Sequence, residues 1–246
     1  MIKNVLLFFF FIASNYILFA QAEKNVDHQS LVWTRYYNVL ELTNKWSIHS
    51  EFDNRVFVDP TVQNLYVARV NGRYKITEAV EVGAGGAYFS VATQNPDIES
   101  TFNKPEYRAQ QDVILRQNFG KLNLSHRYQM EERFYQNFDK EGLIDGTTFA
   151  MRFRYRIQGD YPLWKNEKQS LKVILADEIM FNAGSEVVYN TFDQNRIYTA
   201  LQYCFNKKFA LEAGYMNSYQ QRASGVDYYD RDIFRITLFH RIKLHS

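Results

Sequence analysis

The chain has a single cysteine, Cys204, among 246 residues. That excludes an internal disulfide and any metal site built on several thiolates. Proline is almost as scarce, at four, so little in the sequence interrupts extended backbone. Beyond the N-terminal segment no apolar run reaches the ~20 residues that a spanning helix needs. Passage through a membrane would then require strands closed into a barrel, because lipid offers no partner to unpaired backbone groups. The formal charge of +2 gives no reason to expect nucleic acid. The five histidines lack the spacing of a metal site, and no Asp/Asn run has a calcium-loop pattern. Neither a metal nor any other cofactor is expected.

What is present is aromatic. Tyr and Phe number 18 and 20, and aromatics make up 17% of the chain, a composition that favours strands. At the N-terminus, Lys3 precedes an apolar stretch from Val5 to Phe19 and the small residues of Ala20-Gln21-Ala22. This order predicts a secretory signal over 1–22, cut after Ala22 and leaving one domain over 23–246. Ser14 and Asn15 interrupt the stretch, which argues against a retained helical anchor.

Residues 147–158 put Phe149, Met151, Phe153, Tyr155 and Ile157 on one parity and Arg152, Arg154 and Arg156 on the other. A strand here has an apolar face and a cationic face. Similar segments occupy about 30–42, 45–58, 62–75, 79–92, 105–119, 121–134, 147–158, 170–182, 192–205, 209–222 and 229–244. Short joints alternate with longer polar ones at 93–104, 135–146, 183–191 and 223–228. The pattern predicts an all-β, antiparallel up-and-down transmembrane barrel of 10–12 strands in the outer membrane of a Gram-negative bacterium. Eleven segments conflict with the even count of a closed antiparallel sheet. Either 30–42 lies partly outside the wall or in the lumen, leaving ten strands, or a twelfth strand hides in a joint.

Parity also assigns the interior. Toward it point Arg35, His49, Glu51, Asp53, Arg55, Arg69, Arg73, Arg108, Asp112, Arg116, Arg127, Glu131, Arg133, Glu178, Gln194, Arg196, Glu212, Met216, Arg231 and Arg235, with the three arginines of 147–158. The expected centre is an ion-pair lattice of Glu51, Arg55, Arg69, Arg127, Arg152, Arg154, Arg156, Glu178, Gln194, Arg196, Glu212 and Arg235, with Arg196 meeting Glu178 or Glu212. Arginine serves such packing by holding carboxylates bidentately. Rings of arginine also raise the local concentration of anionic solutes.

Phe192-Asp193-Gln194-Asn195-Arg196-Ile197-Tyr198, followed by Leu201, Tyr203, Phe205-Asn206-Lys207 and Leu211-Glu212-Ala213-Gly214-Tyr215, resembles the domain-of-unknown-function 2490 family. Trp33, Lys45-Trp46, Glu51 with Arg55, and Glu178 extend the resemblance over the mature chain. It implies an outer-membrane barrel and brings no catalytic assignment.

Chemistry is sparse. In His49-Ser50, Ser125-His126 and His245-Ser246 the neighbours point to opposite faces of a strand and cannot pair with each other. His28 and Ser30 have a spacing of two but precede the wall. His49 shares a face with Glu51 and Asp53 and is the best acid/base candidate. Asp227, Asp230 and Asp232 crowd one expected loop, with Arg231 among them. The glycines of Gly83-Ala84-Gly85-Gly86 lie inside an alternating segment, where they leave room for large interior side chains. The expectation is a non-enzymatic barrel with a charged lumen, whose partners are outer-membrane lipid, the barrel-assembly machinery and an unnamed small molecule. The alternatives are an outer-membrane lipid-modifying barrel enzyme and a secreted ligand-binding barrel, the latter with its polarity reversed.

Overall fold

Alternation over long segments yields eleven strands in the computed structural model, which describes residues 23–98, 102–139 and 141–244. The expected signal over 1–22 and the pair His245-Ser246 lie outside the described residues. The strands are β1 (Asn25–Glu41), β2 (Trp46–Phe57), β3 (Gln63–Lys75), β4 (Val80–Val91), β5 (Lys104–Phe119) and β6 (Leu122–Phe138). They continue as β7 (Leu143–Lys165), β8 (Ser170–Ala183), β9 (Phe192–Cys204), β10 (Phe209–Gln221) and β11 (Asp227–Lys243). Each pairs with its sequence neighbour, and the sheet closes where β1 meets β11.

That closure resolves the conflict of parity by neither of the expected routes. The segment around 30–42 is a full wall strand, and no twelfth strand is found among the described residues. Ten neighbouring pairs are antiparallel, and β1 runs parallel to β11 from Asn25 opposite Asp227 to Glu41 opposite Lys243. An odd count closes provided that one pair is parallel, as an odd-stranded mitochondrial barrel also shows. Asn25 and Lys243 consequently stand at opposite ends of the wall.

Local chemistry sets the joints. At one end, Thr43, Thr77, Asn166 and Asn206 each accept hydrogen bonds through a side-chain oxygen from amides two and three residues ahead. Such side chains stand in for a backbone turn. The fifth turn uses Gly120 at a φ of 60°, a region glycine enters without steric cost. The stretch 159–169, between the expected segments 147–158 and 170–182, is mostly strand, since β7 runs to Lys165 across a register shift between Pro162 and Trp164. The joint at 135–146 shrinks to 139–142. Polar residues occupy both parities at these rims, so periodicity gives no boundary there.

The two faces separate as the alternation requires. Phe153 is 45% exposed, while Arg152 beside it is 4% exposed. Phe52, Leu175, Ile197, Tyr215 and Phe234 are likewise exposed on the outside. This polarity is opposite to that of a soluble ligand-binding barrel. Asp227, Asp230 and Asp232 are not in a loop but open β11. Their partners are Asn25 and Ser224 for Asp227, Asn217 and His28 for Asp230, and the Tyr215 hydroxyl for Asp232.

Candidate functional site: the arginine-lined interior

The interior holds a cavity of about 680 Å³ lined by fourteen arginines and Lys104 against six carboxylates. Its walls carry three ionic layers. Toward the end bearing the longer loops, Glu106 accepts from Arg108 Nε and Arg133 Nε, both at 2.7 Å. Beside it, buried Glu131 is shared by Arg108 at 3.2 Å, Arg152 at 2.5 Å and Arg154 at 2.6 Å. Arg152 also donates to Asp193 at 2.9 Å. At the short-turn end Arg73 bridges Glu81 at 2.5 Å and Asp112 at 2.6 Å, and Arg116 reaches Glu81 at 3.0 Å. Gly83 makes room here, because a Cβ would meet Asp112 Oδ1 at 2.8 Å.

The middle layer is unbalanced. Glu178 accepts from Arg127 at 2.6 Å and from Arg154 at 2.9 Å, and Arg196 stands 4.0 Å away. Arg196 Nε donates instead to Gln194 Oε1 at 2.9 Å. Glu212 is not its partner: it accepts from Arg235 at 3.2 Å, from the Tyr198 hydroxyl at 2.7 Å and from Gln202 at 2.9 Å. Across the lumen Glu51 holds Arg69 and lies 3.7 Å from Arg35, while Arg55 pairs with Asp53 at 2.8 Å. Arg156 makes no ion pair within 4 Å and no side-chain hydrogen bond among the described residues. The Nε atoms of Arg69, Arg127, Arg154, Arg156 and Arg235 are buried without a protein partner among the described residues.

Aromatic rings steer several of these guanidiniums. Arg55 lies 3.6 Å over the Trp33 ring, with Arg196 5.4 Å from the same ring. Arg235 sits 3.9 Å over Tyr198, and Arg108 3.6 Å over Phe89. Stacking of this kind fixes a guanidinium by its face and leaves its N–H edge free to donate. Trp33 and Tyr198 belong to an apolar lobe with Leu31, Phe57, Ile174, Met216 and Ile233, so part of the expected charged lumen is an ordinary packed core. The segment after β4 reaches over the mouth, where the Gln94 carbonyl accepts from Arg231 at 3.0 Å.

The matched family is described as "Protein of unknown function (DUF2490)", and its model covers residues 31–229. The chain belongs to this family. Comparison with curated proteins returns no match. Among solved structures the DUF2490 barrel is similar to the NanC porin at 15% identity and a TM-score of 0.47, with 84% of this chain and 96% of that one covered. The siderophore receptor PirA from Pseudomonas aeruginosa gives 11% and 0.29, covering 73% of this chain and 32% of that one. Outer-membrane expressed OmpT of Vibrio cholerae gives 10% and 0.34, covering 73% and 57%. The chain thus spans about a third of PirA (32%) and 57% of OmpT.

In the DUF2490 barrel the acid/base candidate dissolves. His49 meets the Tyr37 hydroxyl at 2.7 Å through Nδ1 and Ser47 Oγ at 3.0 Å through Nε2. Glu51 and Asp53 are committed to arginines. The Ser47–His49 spacing of two was readable in the sequence and is the one Ser/His contact found among the described residues. Glu81, Glu106 and Asp193 were missed as lattice members. For the first two the signal existed, since Glu81 shares parity with Gly83 and Glu106 with Arg108. Asp193 gave none, because it is the residue skipped where the register shifts between Met180 and Phe181, so that both Asp193 and Gln194 end up buried.

Proposed function

We propose that this chain is a non-enzymatic outer-membrane barrel that draws small anions into its interior and either holds them or passes them slowly. The observation that carries the reading is the surplus of fixed cations around a cavity of about 680 Å³: fourteen arginines and a lysine line it against six carboxylates, and Glu81, Glu131 and Glu212, paired with lining arginines from behind, raise the anions only to nine. A cleft of one charge within low-dielectric walls focuses its field and concentrates the opposite charge. The apolar outward face suits lipid, and the signal expected over 1–22 suits export followed by insertion through the barrel-assembly machinery. The ion pairs and the apolar lobe fill much of the lumen, so conduction is small. The purified barrel, reconstituted in planar bilayers under a salt gradient, should give small currents whose reversal potential favours chloride over potassium. Large, stable, cation-selective steps would overturn the proposal.

A further inference from the structure

Four inward positions on successive strands lie in one row. Arg127 on β6 is directly opposite Arg156 on β7, Arg156 opposite Glu178 on β8, and Glu178 opposite Arg196 on β9. Like charges directly opposite each other weaken a strand pair, yet the wall holds Arg127 against Arg156. Arg154, one inward position along β7, brings a fourth guanidinium to the same carboxylate. Glu178 does not satisfy all four guanidiniums: among the described residues Arg156 has no ion-pair or side-chain hydrogen-bond partner, Arg196 is at the limit of ion-pair distance, and the Nε atoms of Arg127, Arg154 and Arg156 are unpartnered. All five side chains line the cavity.

We propose that this row, deepening the anion reading above and resting on it, is a binding site for a tetrahedral oxyanion of charge two, phosphate or a soluble phosphomonoester. The charge argument is direct: Arg154 has Glu131 as a second partner, but Arg127, Arg156 and Arg196 have Glu178 alone among nearby carboxylates, and the surplus this leaves is neutralised better by a dianion than by a monocarboxylate. The geometric argument agrees. A planar carboxylate is satisfied by a single guanidinium fork, whereas guanidiniums arriving from three strands present donors in several planes. Low-dielectric walls strengthen each contact. The position inside the wall selects a water-soluble ligand over a lipid headgroup, whose acyl chains have no place in the lumen.

The test is calorimetric titration of the folded barrel, in zwitterionic detergent at low chloride, with inorganic phosphate. Saturable binding is expected, with sulfate competing and acetate weaker by about tenfold or more. Arg156→Gln should lower phosphate affinity by about tenfold or more, while Arg116→Gln, in the short-turn layer, should leave it unchanged. Heat-modifiable electrophoretic mobility checks that each variant is folded, and Arg156→Lys, which keeps the charge and loses the fork, replaces the glutamine variant if that fails to fold. No saturable binding, equal binding of acetate, equal loss in Arg116→Gln, or undiminished binding in the folded Arg156 variant would each overturn the site. Parallel bilayer recordings separate the two readings: anion preference without phosphate binding removes the site alone, and cation preference removes the anion reading as well.

Discussion

Glu131 has no solvent exposure and answers three arginines, Arg108, Arg152 and Arg154. Removing its charge leaves those guanidiniums buried and undercompensated, which for a buried ion pair costs about 3–5 kcal/mol. Glu131→Gln should therefore lower the unfolding free energy of the detergent-folded barrel by that order in a urea titration. Glu78→Gln, on a residue whose side chain is 93% exposed, should shift it hardly at all. Single residues of this kind were partly legible. Parity placed Glu131 and its arginines inside, because side-chain direction along a strand is a local property. Which carboxylate serves which arginine was not legible, since Arg152 reaches Asp193 two strands away and that reach depends on registers set by the whole wall.

At the scale of the strand, β7 makes the sharpest test of the two faces. Phe153 points outward and Arg154 inward to Glu131 and Glu178. Phe153→Arg would set a charge against lipid at a cost of ~2–4 kcal/mol near the bilayer midplane. Arg154→Lys keeps the interior charge and gives up only the planar fork. Folding yields in liposomes should fall much further for Phe153→Arg, and the reverse order would contradict the face assignment. Strand centres such as this one were readable because apolar and charged residues alternate without interruption. Strand ends were not, as the extension of β7 to Lys165 shows: around Asp160, Tyr161 and Pro162 the alternation fades, and beyond Asp160, the last residue paired with β6, pairing with β8 alone keeps the chain extended.

For the whole molecule, the closed wall followed from composition and alternation, whereas the manner of closing did not. Nothing local in 25–41 distinguishes a strand that will find a parallel neighbour from one that will find an antiparallel neighbour. Seventeen aligned residue pairs, Asn25 opposite Asp227 through Glu41 opposite Lys243, make the seam as long as the strands that form it. The seam also gives the barrel a polarity that even-stranded barrels lack. A peptide tag inserted ahead of Asn25 and another added beyond Lys243 should be reached by antibody from opposite sides of the membrane in intact cells and in permeabilised ones. Detection of both from the same side would contradict the parallel seam. In a wall closed this way the backbone threads from one rim to the other between Asn25 and Lys243, so anything joined ahead of the first strand and anything joined beyond the last are held apart by the full height of the barrel.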